Sequence, residues 1–226
     1  MDLAHELAFV VFPYLCLAVF VVGHAYRYMV DQYGWNARSS EFLEKRTLLY
    51  GSIPFHFGIL LTLVGHAGGL LIPQTVYDIA GIRSEAHLLI AFWMGLLVGA
   101  AAFVGALLLL WRRMSHSRVR AAGTMNDTFT LGSLVVVIGT GLYNVLFGHY
   151  DVLCTVAPWI RGIVTFTPDP GLMLPVPVSY KIHVLSALVL LGFSPFSRLI
   201  HIWSAPLRYL FRKELSFRRH GSICRN

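Results

Sequence analysis

The sequence predicts an all-α integral membrane protein: one helical bundle over residues 1–226 with five transmembrane helices, the N-terminus outside and the C-terminus cytoplasmic. Three observations carry that prediction. Of 226 residues, 56% are hydrophobic and 13% are charged, with a mean hydropathy of +0.65, where a soluble domain carries about 25% charge. Five apolar runs each hold the roughly 20 residues that a spanning helix needs. Finally, the basic residues concentrate in alternate connections.

Taken in order, the uncharged run Leu7 to Tyr26 gives a helix over about 8–29. Its leading "MDLAHE" has no basic n-region and no small-residue cleavage site follows, so it is expected to stay as helix one and not to be removed as a signal peptide. Thr47 to Tyr77 holds helix two, about 50–72, and Ala86 to Trp111 holds helix three, about 87–111. Thr128 to Tyr150 holds helix four, about 127–148. The fifth run starts at Ile182, meets Arg198 and continues to Leu207; it predicts a helix over about 179–204, followed by a basic tail over 205–226. The longest connection runs from Tyr150 to Val178, and its Pro168, Pro170, Pro175 and Pro177 argue for irregular structure. Within it, "PWIRGIVTF" reads as a short apolar segment in the membrane interface.

Charge sets the orientation. Four basic residues follow helix one, four follow helix three and six lie in the tail, against three on the other side: Arg83, Arg161 and Lys181. By the positive-inside rule the side with the excess is cytoplasmic. The net charge of +7 is thereby accounted for without nucleic acid, because the acidic headgroups of the bilayer are sufficient partners. Cys16, Cys154 and Cys224 fall in a helix, an outer loop and the tail, a spacing that offers no intrachain disulfide, and no C-x-x-C-H motif for covalent haem attachment is present.

Histidines carry the chemistry. His5, His116 and His220 fall in polar termini or loops, while His24 and His149 lie near helix ends. His56 and His66 on helix two, and His183 and His201 on helix five, lie in deep apolar context. Ionisable residues in spans face the bundle interior and mark function. Because the two helices run in opposite directions, topology pairs His66 with His183 toward the outside and His56 with His201 toward the cytoplasm. Facing imidazoles on antiparallel helices are what bis-histidine ligation of a b-type haem requires, and two pairs make two haem b groups. A straight-helix estimate strains this pairing: at 1.5 Å per residue His56 and His66 are about 15 Å apart, but His183 and His201 about 27 Å. A kink at Pro195 is one way to absorb the difference.

Gly65, Gly68 and Gly69 surround His66. They would let a macrocycle or another lipidic ring approach the backbone; equally, Gly65 and Gly69, like Gly95 and Gly99, form a small-xxx-small pair for helix packing. Arg112, Arg113 and Arg198 lie at inner helix ends, where guanidinium groups could clamp haem propionates or serve as positive-inside anchors.

The segments "PFHFGILLTLVGH" and "HVLSALVLLGFSPFSRLIHIWSAP", with "WRRMSHSRVRA" after helix three and "YRYMVDQYGWNARSSEFL" after helix one, resemble the gamma subunit of respiratory nitrate reductase. The resemblance covers essentially the whole chain. It implies a five-helix, di-haem cytochrome b of the prokaryotic inner membrane that oxidises membrane quinol near the outer face. Electrons would pass inward to an iron-sulfur beta subunit and a molybdenum-containing alpha subunit. Its four ligand positions match His56, His66, His183 and His201, with Arg112 and Arg198 as cofactor contacts and Gly65, His66 and His87 as the candidate quinol site. One departure stands out: where the family has a lysine near the start of helix three, this chain has Ala86, and the neighbouring His87 is the candidate replacement.

Partners are also expected from what the chain lacks, since it holds no cysteine cluster for an iron-sulfur centre and its inner loops are too short for a molybdenum domain. Two other readings stand beside this one. The chain could be a related quinol-oxidising anchor of another cytoplasmic reductase, of the heterodisulfide or sulfur-compound type, which the neighbouring subunits would reveal. Alternatively, the four histidines could form a proton relay in a haem-free transporter, which a colourless purified protein would favour.

Overall fold

Among the described residues, five helices are long and apolar enough to cross a membrane: α1 (Leu3–Val30), α2 (Arg46–Leu71), α4 (Ser84–Ser115), α6 (Met125–Gly148) and a fifth span, Val178–Phe196, whose α-helical part is α8 (Val178–Phe193). Three short helices join them: α3 (Gln74–Ile79), α5 (Ser117–Ala121) and α7 (Val156–Val164). The computed structural model describes residues 2–31 and 40–203. The basic tail over 205–226, Arg38 and the last residue of the expected fifth helix lie outside the described residues.

Small residues decide which helices meet. On α2, Gly51, Phe55 and Gly58 share a face that packs on Ala102, Gly105 and Ala106 of α4. A Cβ on Gly58 would sit 2.6 Å from the Ala102 nitrogen, and one on Gly105 would sit 2.5 Å from the Phe55 nitrogen. The two backbones therefore touch, which maximises dispersion contact where no hydrophobic effect drives helices together. The pairs anticipated for this role do not supply it. A Cβ on Gly65 would meet nothing within 4 Å, while Gly95 and Gly99 face the side chains of Val145 and Leu142 at ordinary contact distance.

Packing then proceeds in series, α2 on α4, α4 on α6, α6 on α8 and α8 on α1, while α2 and α8 are not closely packed on each other. On an ideal helix His56 lies about 100° and His66 about 20° around α2 from Phe55, and both side chains are exposed.

Both ends are tied by polar contacts. On the expected cytoplasmic side, Glu44 accepts from the Thr47 and Leu48 N–H groups at 2.8 and 3.3 Å, capping the start of α2. Its carboxylate also pairs with Arg112 at the end of α4, at 2.8 Å. At the start of α6, Asp127 forms a capping box with Thr124 and pairs with Arg113 and Arg198. On the opposite side the proline-rich connection is more ordered than the sequence suggests. Most of "PWIRGIVTF" forms α7, which buries Trp159 and Ile163 against Phe9, Met173 and Val176. Arg161 of α7 donates to the Leu70 carbonyl at 3.1 Å, at the π-helical turn that ends α2.

The fifth span is not one continuous α-helix. After Phe193 the chain tightens into a 3-10 turn over Ser194–Phe196, becomes extended at Ser197 and turns again over Arg198–Ile202. Pro195 is the cause: it has no N–H for the Leu191 carbonyl, and the Ser194 hydroxyl donates to that oxygen at 2.6 Å. Arg27 of α1 secures the break by donating to the Pro195 carbonyl at 2.7 Å.

Candidate functional site

Because the chain leaves the α-helix after Phe193, the straight-helix spacing does not hold between His183 and His201. The imidazoles of His66 and His183 face each other with ring centroids 6.2 Å apart, and those of His56 and His201 do so at 6.1 Å. Both pairs read from topology are therefore formed, one toward each end of the bundle.

Every one of the four rings is oriented by the same device. His56 Nδ1 lies 2.8 Å from the Ser52 carbonyl and His66 Nδ1 lies 2.8 Å from the Thr62 carbonyl, each one turn back on α2. His183 Nδ1 reaches across to the Val137 carbonyl of α6 at 3.0 Å, and His201 Nδ1 to the Arg198 carbonyl at 2.5 Å. A carbonyl oxygen can only accept, so Nδ1 carries the proton in each ring and the lone pair stays on Nε2. In metal sites, hydrogen bonds of this kind to the far ring nitrogen fix the tautomer and aim of the ligating histidines. Gly141 makes room for the third ring, since a Cβ there would lie 2.8 Å from His183 Cε1.

This donor set fits a haem. A metal–imidazole bond of about 2.0–2.1 Å on each side of one metal places trans ring centroids roughly 6.3 Å apart, close to both observed separations. Among the described residues no group of three or more His, Cys, Asp or Glu side chains gathers as a self-sufficient metal site. Two imidazoles are too few for a protein-only metal site, so each pair would hold a metal that brings its own macrocycle. His56 and His66 are exposed on α2, and the open space at Gly65 lies beside the His66–His183 pair. An apolar cavity of about 390 Å³ opens between α6 and α8, lined by Val137, Ser186 and five further residues.

The arginines take partners that the sequence did not reveal. Arg112 is 4% exposed and donates to Glu44 Oε2 and the Glu44 carbonyl, and to the Ser40 hydroxyl and carbonyl. These four hydrogen bonds tie the end of α4 to the start of α2. Arg113 and Arg198 both engage Asp127; Arg198 is the more exposed of the two and lies three residues from His201. An acidic group arriving there would share the guanidinium with Asp127.

At the end of the bundle expected to face outside, His87 is 9% exposed and packs against Tyr77 with ring centroids 4.3 Å apart and planes tilted by 40°. Its Nδ1 lies 2.8 Å from Gln74 Oε1, and its Nε2 faces Gly69, where an added Cβ would sit 3.7 Å away. His87 is thus beside the turn that follows His66. Gln74 and Tyr77 belong to this site and were missed from sequence; the i, i+4 spacing of Gln74 and Asp78 was a legible helix signal, but nothing local points either residue at His87.

Residues 5–220 match the family described as nitrate reductase gamma subunit. The chain is 40% identical over 215 residues to the nitrate reductase gamma chain of Bacillus subtilis (strain 168), covering 93% of this chain and 96% of that one. It is 37% identical over 210 residues to the respiratory nitrate reductase 1 gamma chain of Escherichia coli (strain K12), covering 91% and 93%. A more distant relative, the Hdr-like menaquinol oxidoreductase cytochrome b-like subunit of Archaeoglobus fulgidus, is 29% identical over 163 residues, 70% of this chain and 48% of that one.

Proposed function

Because this chain belongs to the nitrate reductase gamma subunit family, we propose that it is the di-haem membrane subunit that takes electrons from a quinol near the outer face and delivers them to cytoplasmic partner subunits. Those partners are an iron-sulfur subunit and a molybdenum-containing catalytic subunit, which the chain anchors to the membrane. The observation that carries this reading is the facing of His66 with His183 and of His56 with His201, each ring presenting Nε2. Bound there, b-type haem would supply one-electron redox centres whose potentials answer to axial ligation and surrounding polarity.

The protein's own contribution is position and proton handling. His66 and His183 hold the outer centre, and His56 and His201 the inner one. The open space at Gly65 lets a flat ring come close to the backbone beside His66, and His87 Nε2 is placed to accept a proton from a quinol hydroxyl. With the N-terminus outside, as the basic loops predict, that proton leaves on the outer side while the negative charge moves inward. Charge separation of this kind builds membrane potential, at about 2.3 kcal/mol per elementary charge per 100 mV. The electrons require partners, since Cys16, Cys154 and Cys224 are too few and too scattered to hold an iron-sulfur cluster.

A second reading, an anchor of another quinol-oxidising reductase, is favoured by the similarity to the archaeal menaquinol oxidoreductase subunit. The histidine arrangement serves both; the copurifying catalytic subunit separates them.

The test is a reduced-minus-oxidised visible spectrum and haem content for the purified chain and for His66→Ala and His201→Ala. Two b-type centres, with a different one lost in each variant, is the expected result. A folded wild-type chain without haem, given adequate haem supply, would overturn the proposal in favour of a structural or proton-carrying role.

A further inference from the structure

The Gln74 amide has only one orientation open to it. Its Nε2 donates to Asp78 Oδ1 at 2.9 Å and to the Ile82 carbonyl at 3.0 Å. Both are acceptors, so Oε1 is the atom turned toward His87. An amide oxygen 2.8 Å from His87 Nδ1 requires that nitrogen to carry the proton, which puts the lone pair on Nε2. That lone pair is directed at the turn around Gly69, immediately after His66. Tyr77 closes one face of the ring, so the imidazole is held in direction as well as in tautomer.

We propose that Gln74 is a positioning residue for quinol oxidation: by accepting the His87 Nδ1 proton and being itself anchored by Asp78 and Ile82, it holds His87 as the tautomer that can receive a quinol proton on Nε2. The inference rests on the quinol-oxidising reading above. The step itself is a proton transfer in which one quinol O–H bond breaks and one N–H bond forms at Nε2, leaving an imidazolium whose Nδ1–H is still held by Gln74. Without the acceptor, the neutral ring is free to carry its proton on Nε2, where it cannot act as a base. Besides Tyr77, the titratable and charged groups around the ring are Asp78, reached through Gln74; Arg161, bonded to the Leu70 carbonyl in the adjacent turn; and Arg83 and Glu85, which flank it in sequence.

The experiment uses the full chain with its haem in lipid nanodiscs, a short-chain naphthoquinol as donor, and the variants Gln74→Leu, Gln74→Glu and His87→Ala. Nitrogen-15 spectra of histidine-labelled chain read the tautomer directly, the His87 signals being those lost in His87→Ala. The expected wild-type form is Nδ1–H, shifting toward Nε2–H in Gln74→Leu, with haem reduction by quinol slowed roughly tenfold or more and the dithionite-reduced spectrum unchanged. Gln74→Glu keeps an acceptor for the Nδ1 proton but loses the donor to Asp78 and the Ile82 carbonyl, so it is expected to keep the Nδ1–H tautomer with a rate between those of wild type and Gln74→Leu. A wild-type ring protonated on Nε2, or Gln74→Leu with the tautomer and rate of wild type, overturns the assignment of Gln74. If His87→Ala itself leaves quinol kinetics unchanged, the fault lies with the placement of the quinol site, and the role of Gln74 falls with it.

Discussion

Trp159 donates its indole N–H to the Phe9 carbonyl oxygen at 2.9 Å, across 150 positions of chain. That carbonyl is the one that Pro13, four residues on, cannot serve in the α-helical pattern, because proline has no N–H. The contact joins the start of α1 to α7 inside a buried cluster with Met173 and Val176.

Replacing Trp159 with Phe keeps an aromatic ring but leaves the Phe9 carbonyl without this donor. The expected loss is about 1–3 kcal/mol of stability, read as a lower denaturation midpoint in detergent. Since the cluster is remote from Ser194–Ser197, the inner histidine pair is expected to keep its spectrum. A midpoint equal to that of wild type would show that the hydrogen bond contributes nothing net.

Two glycine substitutions separate helix packing from cofactor space. Gly105→Leu places atoms where the Phe55 nitrogen already lies 2.5 Å from a Cβ, so α2 and α4 must separate. A loss of 1 to 3 kcal/mol or more is expected, on the order of overpacking penalties, or failure to accumulate. Gly65→Ala meets nothing within 4 Å and is expected to leave stability unchanged while perturbing quinol oxidation. Equal stability for the two variants would contradict the packing described here.

Glu44 gives the end of the bundle where α2 begins an acid dependence. The Thr47 N–H, followed by the hydrogen bond and charge of Arg112 and the Leu48 N–H, lowers its carboxyl from the ordinary 4.5 to about 2. A folded-state value below the unfolded one means that its contribution is full above about pH 4.5 and is lost as pH falls toward about 2. Thermal midpoints measured from pH 6 down to pH 3 should therefore fall more steeply for wild type than for Glu44→Gln. Parallel curves would remove Glu44 from the acid response.

His87→Ala removes the proposed proton acceptor without touching a ligand. Haem reduction by quinol should slow by about a hundredfold, within the usual range for a general base, and both haem spectra should survive. Rates within twofold of wild type would place the acceptor elsewhere.

Sequence by itself determined the five spans, their alternating direction and the pairing of four histidines, because these depend on local properties: apolar length, the distribution of basic residues and the position of each imidazole along its helix. Helix ends were legible to within a few residues, as at α2 and α6. Long-range closure was not legible. That Gly58 and Gly105 make the backbone contact while Gly65 stands open depends on how α2 turns against α4. That Arg112 and Arg198 meet Glu44 and Asp127 depends on which helix ends converge. Pro195 was readable as a disturbance, but the direction in which the chain leaves it, and hence the approach of His201 to His56, is set by Ser194, Ser197 and Arg27 together. The meeting of His87 with Gln74 likewise needs α3 folded back on α4. The bilayer fixes element lengths and faces in the sequence, whereas the partners of polar groups are chosen by packing among segments distant in the chain, and so only the tertiary structure decides them.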